Sequence, residues 1–140
     1  MEYQETVMRE RLADLLRDWR LARFYEVNKE VGDDDFHVVM PFVHYNADIA
    51  IKAIKPLDLN KTEPSDIYHH GGAWVKNMER LKNRERLPAT VVFTVRFPEN
   101  GKQLQAAEDI CVELRQLGVE PVDFNNPSRL RVAVDLGIAA

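Results

Sequence analysis

The hydrophobic pattern is densest in residues 36–59, where two apolar runs are separated by the polar segment 44–48. That segment contains Asn46 and Asp48, which favour turns because their side chains bond nearby backbone groups. The two runs therefore predict two strands joined by a tight turn. Because both runs are almost continuously apolar, we expect helices on both faces of these strands. Lys52 and Lys55 are charged exceptions inside the second run.

Three other segments show helical spacing of their apolar residues. Steps of three and four predict helices over residues 2–23, over a stripe that includes Trp74 and Leu81, and over residues 102–117, where Gly118 ends the last helix. Each glycine of the pair Gly71-Gly72 costs about 1 kcal/mol in a helix interior. The second helix is therefore predicted to begin near residue 73, with residues 66–70 forming a separate turn.

Further strands are predicted where β-branched and aromatic residues gather or alternate with polar ones. These segments are residues 24–27, 89–97, 119–124 and 130–136, the last antiparallel to its predecessor. Pro56 should end the second strand of the hairpin or place it near an edge, because proline gives a ladder no donor. The element order predicts an α/β fold, a central mixed sheet with about three helices on both sides, in one domain over residues 1–140.

Composition narrows the class of protein. The chain has 140 residues, 45% of them hydrophobic and 30% charged. No segment approaches the roughly 20 apolar residues that cross a bilayer, so no membrane partner is expected. Residues 1–12 resemble neither a secretory signal nor a transit peptide, and we expect a cytoplasmic location. Cys111 lies in an apolar helical pattern, where cysteine is usually a small buried hydrophobe.

The order of helix, two or three antiparallel strands, helix and strand resembles the restriction-endonuclease-like fold, the PD-(D/E)xK superfamily. In that family an acid near the start of one strand and an acid-x-Lys on the next hold Mg²⁺, and the lysine helps to activate water. The resemblance covers residues 2–97. It implies that Asp35, before the first strand of the hairpin, supplies the acid and that Lys52 or Lys55 supplies the lysine.

The chain departs from that motif at the second acid. Ala50 stands two residues before Lys52, and Ala53 stands two residues before Lys55. The first hypothesis is therefore a non-catalytic binding or regulatory domain on a degenerate nuclease-like fold, with no cofactor and with a protein or nucleic-acid partner. In this hypothesis the two lysines cover apolar surface with their stems while their amines reach water.

The alternative is a Mg²⁺-dependent endonuclease with a displaced acid. Asp35, Asp48 and Lys52 would be catalytic, and Glu10 of the first helix, or Glu5 in its place, would join Asp35 and Asp48 around the metal. This hypothesis requires that Asp35, Asp48 and the amine of Lys52 converge within about 5 to 6 Å of a common point.

A second chemical candidate is the segment 66–72. Asp66, His69 and His70 are residue types that bind transition metals or transfer protons near neutral pH. Adjacent residues of a helix or strand point in different directions, however, and no HExxH or CxxC spacing accompanies them.

Partner hypotheses depend on charge and on the sheet edges. The net charge of −4 argues against a general phosphate-binding surface, although arginines are frequent in residues 9–23 and cations in residues 76–86. Because both runs also contain acids, a solvated helix face is the simpler interpretation. A third hypothesis is an assembly subunit or protein inhibitor whose partner covers an exposed sheet edge or an aromatic patch, or a homo-oligomer formed through an edge strand. The predicted terminal strand, followed by residues 137–140, is a candidate for such pairing.

Overall fold

The computed structural model describes residues 3–137 and confirms the α/β class. Within that range it has five strands and four α-helices, one more than expected. In chain order they are α1 (Tyr3–Asp18), a 3₁₀ turn (Ala22–Phe24), β1 (Glu26–Gly32), β2 (His37–Asn46), β3 (Ile49–Asp58), α2 (Pro64–Asn83), β4 (Thr90–Arg96), α3 (Gly101–Gln116), β5 (Val119–Asp123) and α4 (Pro127–Val134).

The five strands form one mixed sheet in the order β1-β2-β3-β4-β5. The pairs β1/β2 and β2/β3 are antiparallel, and the pairs β3/β4 and β4/β5 are parallel. The predicted hairpin is β2 and β3, and β3 is the middle strand of the sheet. The carboxyl ends of β3 and β4 lie side by side, with Asp58 paired in register with Arg96.

Helices cover both faces of the central strands, as the continuous apolar runs predict. On one face Leu57 and Phe93 pack against buried residues of α2 and α3. On the other face Ile54 and Val92 pack against α1 and α4. Successive residues of a strand point to opposite faces, so each run supplies both cores. No helix among residues 3–137 is long and apolar enough to cross a membrane.

Helix α2 continues through Gly71 and Gly72, so the prediction of a separate turn before residue 73 is wrong. Gly71 is buried where α2 crosses α3. A Cβ atom at Gly71 would lie 2.7 Å from the side chain of Ile110. The close approach of the two helices therefore requires glycine there, and tertiary packing outweighs the helix propensity of glycine.

The predicted last strand is instead helix α4. Asn126 caps the helix by accepting a hydrogen bond from the amide of Arg129 at 3.2 Å, and Pro127 occupies its first turn. The buried residues of α4 recur at helical steps, and they are Leu130, Ala133 and Val134. The segment predicted as a terminal strand for pairing is thus a helix, and the edge strands of the sheet are β1 and β5. Residues 138–140 lie outside the described residues.

Two further strand predictions need correction. The strand predicted over residues 24–27 is β1, which runs from Glu26 to Gly32 and forms one edge of the sheet. Strand β3 continues through Pro56 to Asp58 and lies at the centre. The paired residues of β2 and β3 extend only from Ile49 to Ile54, so Pro56 lies beyond that ladder.

Candidate functional site

A buried cluster of charged side chains lies where α1, the carboxyl end of β3 and α2 meet. Glu5 of α1 and Lys55 of β3 are only 2% and 3% exposed. The Nζ of Lys55 lies 3.6 Å from Glu5 Oε1. His70 of α2 approaches from the outer side, with its Nε2 2.5 Å from Glu5 Oε2. We call Glu5, Lys55 and His70 the buried triad.

Several neighbours hold Glu5 in its ionised form. Burial by itself would raise the pKa of this carboxyl group. The hydrogen bond from His70, the ammonium group of Lys55 and the backbone N–H of Asp58 act in the opposite direction and lower the pKa to about 2. The Asp58 amide donates to Glu5 Oε2 at 2.8 Å. Because an ionised carboxylate only accepts hydrogen bonds, Nε2 of His70 must carry the proton in this contact.

A second buried carboxylate extends the triad along the end of the sheet. Asp58 is 2% exposed, and its two oxygens accept from Nε and Nη2 of Arg96, each at 3.0 Å. The backbone N–H of Asn60 also donates to Asp58 Oδ1 at 3.0 Å. Glu5 and Asp58 therefore both bind cations of the chain itself.

The amine of Lys55 is enclosed by aromatic and backbone groups. It donates to the carbonyl of Pro56 at 2.8 Å and lies 4.1 Å from the ring centroid of Trp74. The prediction that this amine reaches water is wrong. The ion pair with Glu5 and the contact with the Trp74 ring make burial of the charge possible.

A cavity of about 500 Å³ opens beside the triad. It is lined by Lys61, Asp66, His69, His70 and Ala73. Asp66, His70 and Ala73 follow one another at steps of four and three, so they share one face of α2. His69 borders the same cavity, although adjacent helical residues were expected to point apart. His70 connects the cavity with the buried carboxylate of Glu5.

The catalytic set Asp35, Asp48 and Lys52 does not converge. Asp35 precedes the first residue of β2, and Asp48 follows its last residue in the turn to β3. A ten-residue strand is roughly 30 Å long, so no common ion can contact both carboxylates. The backbone N–H of Asp35 donates a hydrogen bond to the carboxylate of Asp33, and the side chain of Asp35 is exposed.

Lys52 lies on the other face of β3 from Lys55 and contacts α4. Its Nζ donates to the carbonyl of Ala133 at 2.6 Å and to that of Asp135 at 2.9 Å. Burial lowers the pKa of Lys52, while Glu120 and Asp135 act to raise it. Lys52 thus binds the free carbonyl groups at the end of a helix, where a cation also interacts favourably with the helix dipole. Lys52 is only partly buried, unlike Lys55.

The last acid of the predicted Mg²⁺ set lies apart as well. Glu10 is exposed on α1, more than one turn beyond Glu5. Across residues 3–137, no group of three or more His, Cys, Asp or Glu side chains is arranged to hold a metal ion. The buried acids beside Lys55 and at the end of β3, Glu5 and Asp58, already pair with Lys55 and Arg96. Asp35, Asp48 and Glu10 therefore do not form the Mg²⁺ site of the alternative hypothesis.

The sequence named part of this site and missed the rest. Glu5 and Lys55 were candidates within the nuclease resemblance, whereas His70 was a candidate in the separate segment 66–72. Asp58 and Arg96 were missed. Asp58 and Arg96 are the last residues of the observed strands β3 and β4, and the ends of parallel neighbours meet at one edge of a sheet.

Cys111 is buried in α3, as predicted. Burial raises the pKa of its thiol to about 11, which keeps the thiolate population low at neutral pH.

No protein-family model, no curated protein and no solved structure matches this chain.

Proposed function

We propose that this chain is a non-catalytic binding or regulatory domain on a degenerate nuclease-like fold, acting through a protein or nucleic-acid partner. The element order from α1 to β4 supports the likeness to that fold: a helix, three antiparallel strands, a helix and a parallel strand.

One observation carries the proposal. Glu5 and Asp58, the buried carboxylates at the end of β3, accept from His70, Arg96 and backbone amides, and Lys55 lies beside Glu5. A Mg²⁺ ion needs carboxylate oxygens that can turn toward it and keep several of its waters. Binding there would require breaking buried ion pairs, which typically costs about 3–5 kcal/mol for one pair. This supports a scaffold role for the cluster.

A cleavage assay tests the proposal. We expect no turnover of single-stranded or duplex DNA and RNA by the purified chain with Mg²⁺ or Mn²⁺. Two variants, Lys52→Met and Lys55→Met, remove in turn the two lysines that the resemblance names. Activity present in the wild type and lost in either folded variant would overturn the proposal. Equal activity in the wild type and in both variants would identify a contaminating nuclease.

The cavity beside the triad favours a second function, acid–base hydrolysis. A buried carboxylate that orients a histidine at the wall of a cavity is an arrangement used for proton transfer. Here Glu5 orients His70, and Lys61 lines the same cavity. A panel of phosphate and carboxylic esters tests this function. Turnover that is lost in His70→Gln and retained in His69→Gln would favour it over the binding domain.

A further inference from the structure

A surface that shares no residue with the buried triad combines arginine with half-buried aromatic rings. It lies between the end of α1, the 3₁₀ turn and α4, and it encloses a cavity of about 420 Å³. Small-ligand and side-chain pockets typically measure about 300–1,000 Å³. The cavity is lined by Trp19, Arg20, Leu21, Phe24, Arg131, Val132 and Asp135.

Positive charge dominates this surface. A second cavity of about 470 Å³ adjoins the first through Arg20, and Arg17 and Arg23 also line it. Among residues 3–137, Arg17 pairs with Asp14, but Arg20, Arg23 and Arg131 form no ion pair. The two cavities thus present four guanidinium groups and the single carboxylate of Asp135.

The walls between these charges are apolar. Val132 is 77% exposed, the largest exposed fraction among the large hydrophobic side chains described. Trp19 and Phe24 are half-buried and border the same cavity. The guanidinium group of Arg23 lies 4.8 Å from the ring centroid of Phe24. Tryptophan and arginine are the residues most enriched at protein–protein hot spots.

This combination distinguishes between two kinds of anionic partner. A nucleic-acid strand presents a phosphate at every nucleotide, and the net charge of −4 and Asp135 in the lining both oppose a polyanion. A peptide with one or two carboxylates beside an apolar side chain complements the arginines and also covers Trp19, Phe24 and Val132. The charge and the apolar walls therefore favour a peptide.

We propose that this arginine–aromatic surface binds an extended segment of another protein, in which an apolar anchor side chain is flanked by one or two carboxylates. The anchor enters the 420 Å³ cavity, and the carboxylates bind Arg20 and Arg131. This inference rests on the proposed binding function, for which it names the partner class and the site.

The probe is a phage-displayed library of random twelve-residue peptides, selected on the full chain. We expect enriched peptides to contain Asp or Glu next to Leu, Phe or Trp.

A fluorescein-labelled copy of the most enriched peptide is then titrated with the protein, and binding is measured by fluorescence anisotropy. The variant Arg20→Ala/Arg131→Ala should bind it at least about tenfold more weakly, the usual loss when hot-spot contacts are removed. The matched control, Lys82→Ala/Arg115→Ala, removes two exposed cations from α2 and α3 and should bind like the wild type.

A second pair of variants separates binding from folding. Arg20 has a φ of +61° beyond the end of α1, and Glu85 has a φ of +56° beyond the end of α2. Glycine adopts this left-handed conformation without strain. Arg20→Gly and Glu85→Gly should therefore both keep or raise the unfolding midpoint, while only Arg20→Gly weakens the peptide.

The two tryptophans locate the bound peptide. In Trp74→Phe, Trp19 is the remaining tryptophan, and its emission should shift when the peptide binds. In Trp19→Phe, the emission of Trp74 should not change.

The inference is overturned if no peptide is enriched, or if the enriched peptides bind the Arg20/Arg131 double variant as tightly as the wild type. It is also overturned if a labelled twelve-nucleotide strand binds instead and is lost in that variant, with a salt slope near −0.7 per phosphate contact. These failures leave a non-catalytic binding domain with another partner or site. Cleavage activity would contradict the proposed function whatever the peptide result.

Discussion

Replacing Glu5 by glutamine should destabilise the protein by about 3 kcal/mol, because it removes the carboxylate that faces Lys55. At a separation of 3.6 Å, two unit charges attract by roughly 4–5 kcal/mol at an effective dielectric constant of about 20. This is an upper bound, because Lys55 still donates to the carbonyl of Pro56. Losing one partner of a buried pair usually costs about 3–5 kcal/mol, and a domain of this size is stable by only about 5–15 kcal/mol.

The double variant Glu5→Gln/Lys55→Met isolates the pair. It contains neither buried charge, so it should be at least about 1 kcal/mol more stable than Glu5→Gln alone. Lys55→Met alone should cost less than Glu5→Gln, because Glu5 retains His70 and the Asp58 amide.

Urea unfolding followed by circular dichroism measures all three variants. Glu79→Gln is the matched control, because Glu79 forms an exposed pair with Lys76 at 2.8 Å and should change the free energy of unfolding by less than about 1 kcal/mol. Strictly additive losses in the double variant, or a cost for Glu5→Gln no larger than that of the control, would refute the reasoning.

The same structure makes three further predictions. Gly71→Ala should destabilise the protein by about 1–3 kcal/mol, because its Cβ atom would overpack against Ile110. Gly72→Ala should stabilise it by about 0.5–1 kcal/mol, because its Cβ atom would meet no atom within 4 Å. Thermal unfolding compares the two variants, and equal effects would contradict the close contact of Gly71 with Ile110. Lys52→Met should cost about 1–2 kcal/mol through lost bonds to α4, and a change within ±0.5 kcal/mol would contradict this. The pKa of Glu5 is lowered from 4.5 to about 2, so the ionised carboxylate contributes roughly 3 kcal/mol to the free energy of unfolding. This contribution is complete above about pH 4.5 and is lost as the pH falls through 2. The difference in stability between the wild type and Glu5→Gln should therefore shrink over that range, and a constant difference would contradict the lowered pKa.

The sequence predicts the sheet well because its strands are encoded locally. The hairpin and β4 are recognisable from runs of apolar and β-branched residues. The prediction for the α4 segment is wrong because apolar and polar residues alternate only over the short stretch 130–136, where helical and strand periodicity are hard to separate. The N-cap residue Asn126 and Pro127 in the first turn favour a helix over a strand in this segment. The prediction of a turn around Gly71 is wrong for a different reason, because the role of this glycine depends on Ile110 of another helix.

The site could be predicted only in pieces. Glu5, Lys55 and His70 are far apart in the chain and meet only after α1 packs against β3 and α2 is placed beside it. No local pattern specifies such a meeting. The catalytic set was drawn from one hairpin, and Asp35 and Asp48 lie at opposite ends of β2 because that strand is fully extended. The arginine–aromatic surface also depends on α4, which was predicted as a strand.

Manganese titration followed by NMR tests the central claim most directly, namely that Glu5 and Asp58 serve internal ion pairs. Paramagnetic Mn²⁺ takes the same oxygen ligands as Mg²⁺ and broadens the amide signals of residues near its site. We predict that the amides of Glu5 and Asp58 broaden no more than those of exposed acids such as Asp48 and Glu99. Selective broadening of Glu5 and Asp58 at equimolar Mn²⁺ would show that the cluster opens to bind metal, and it would contradict the account.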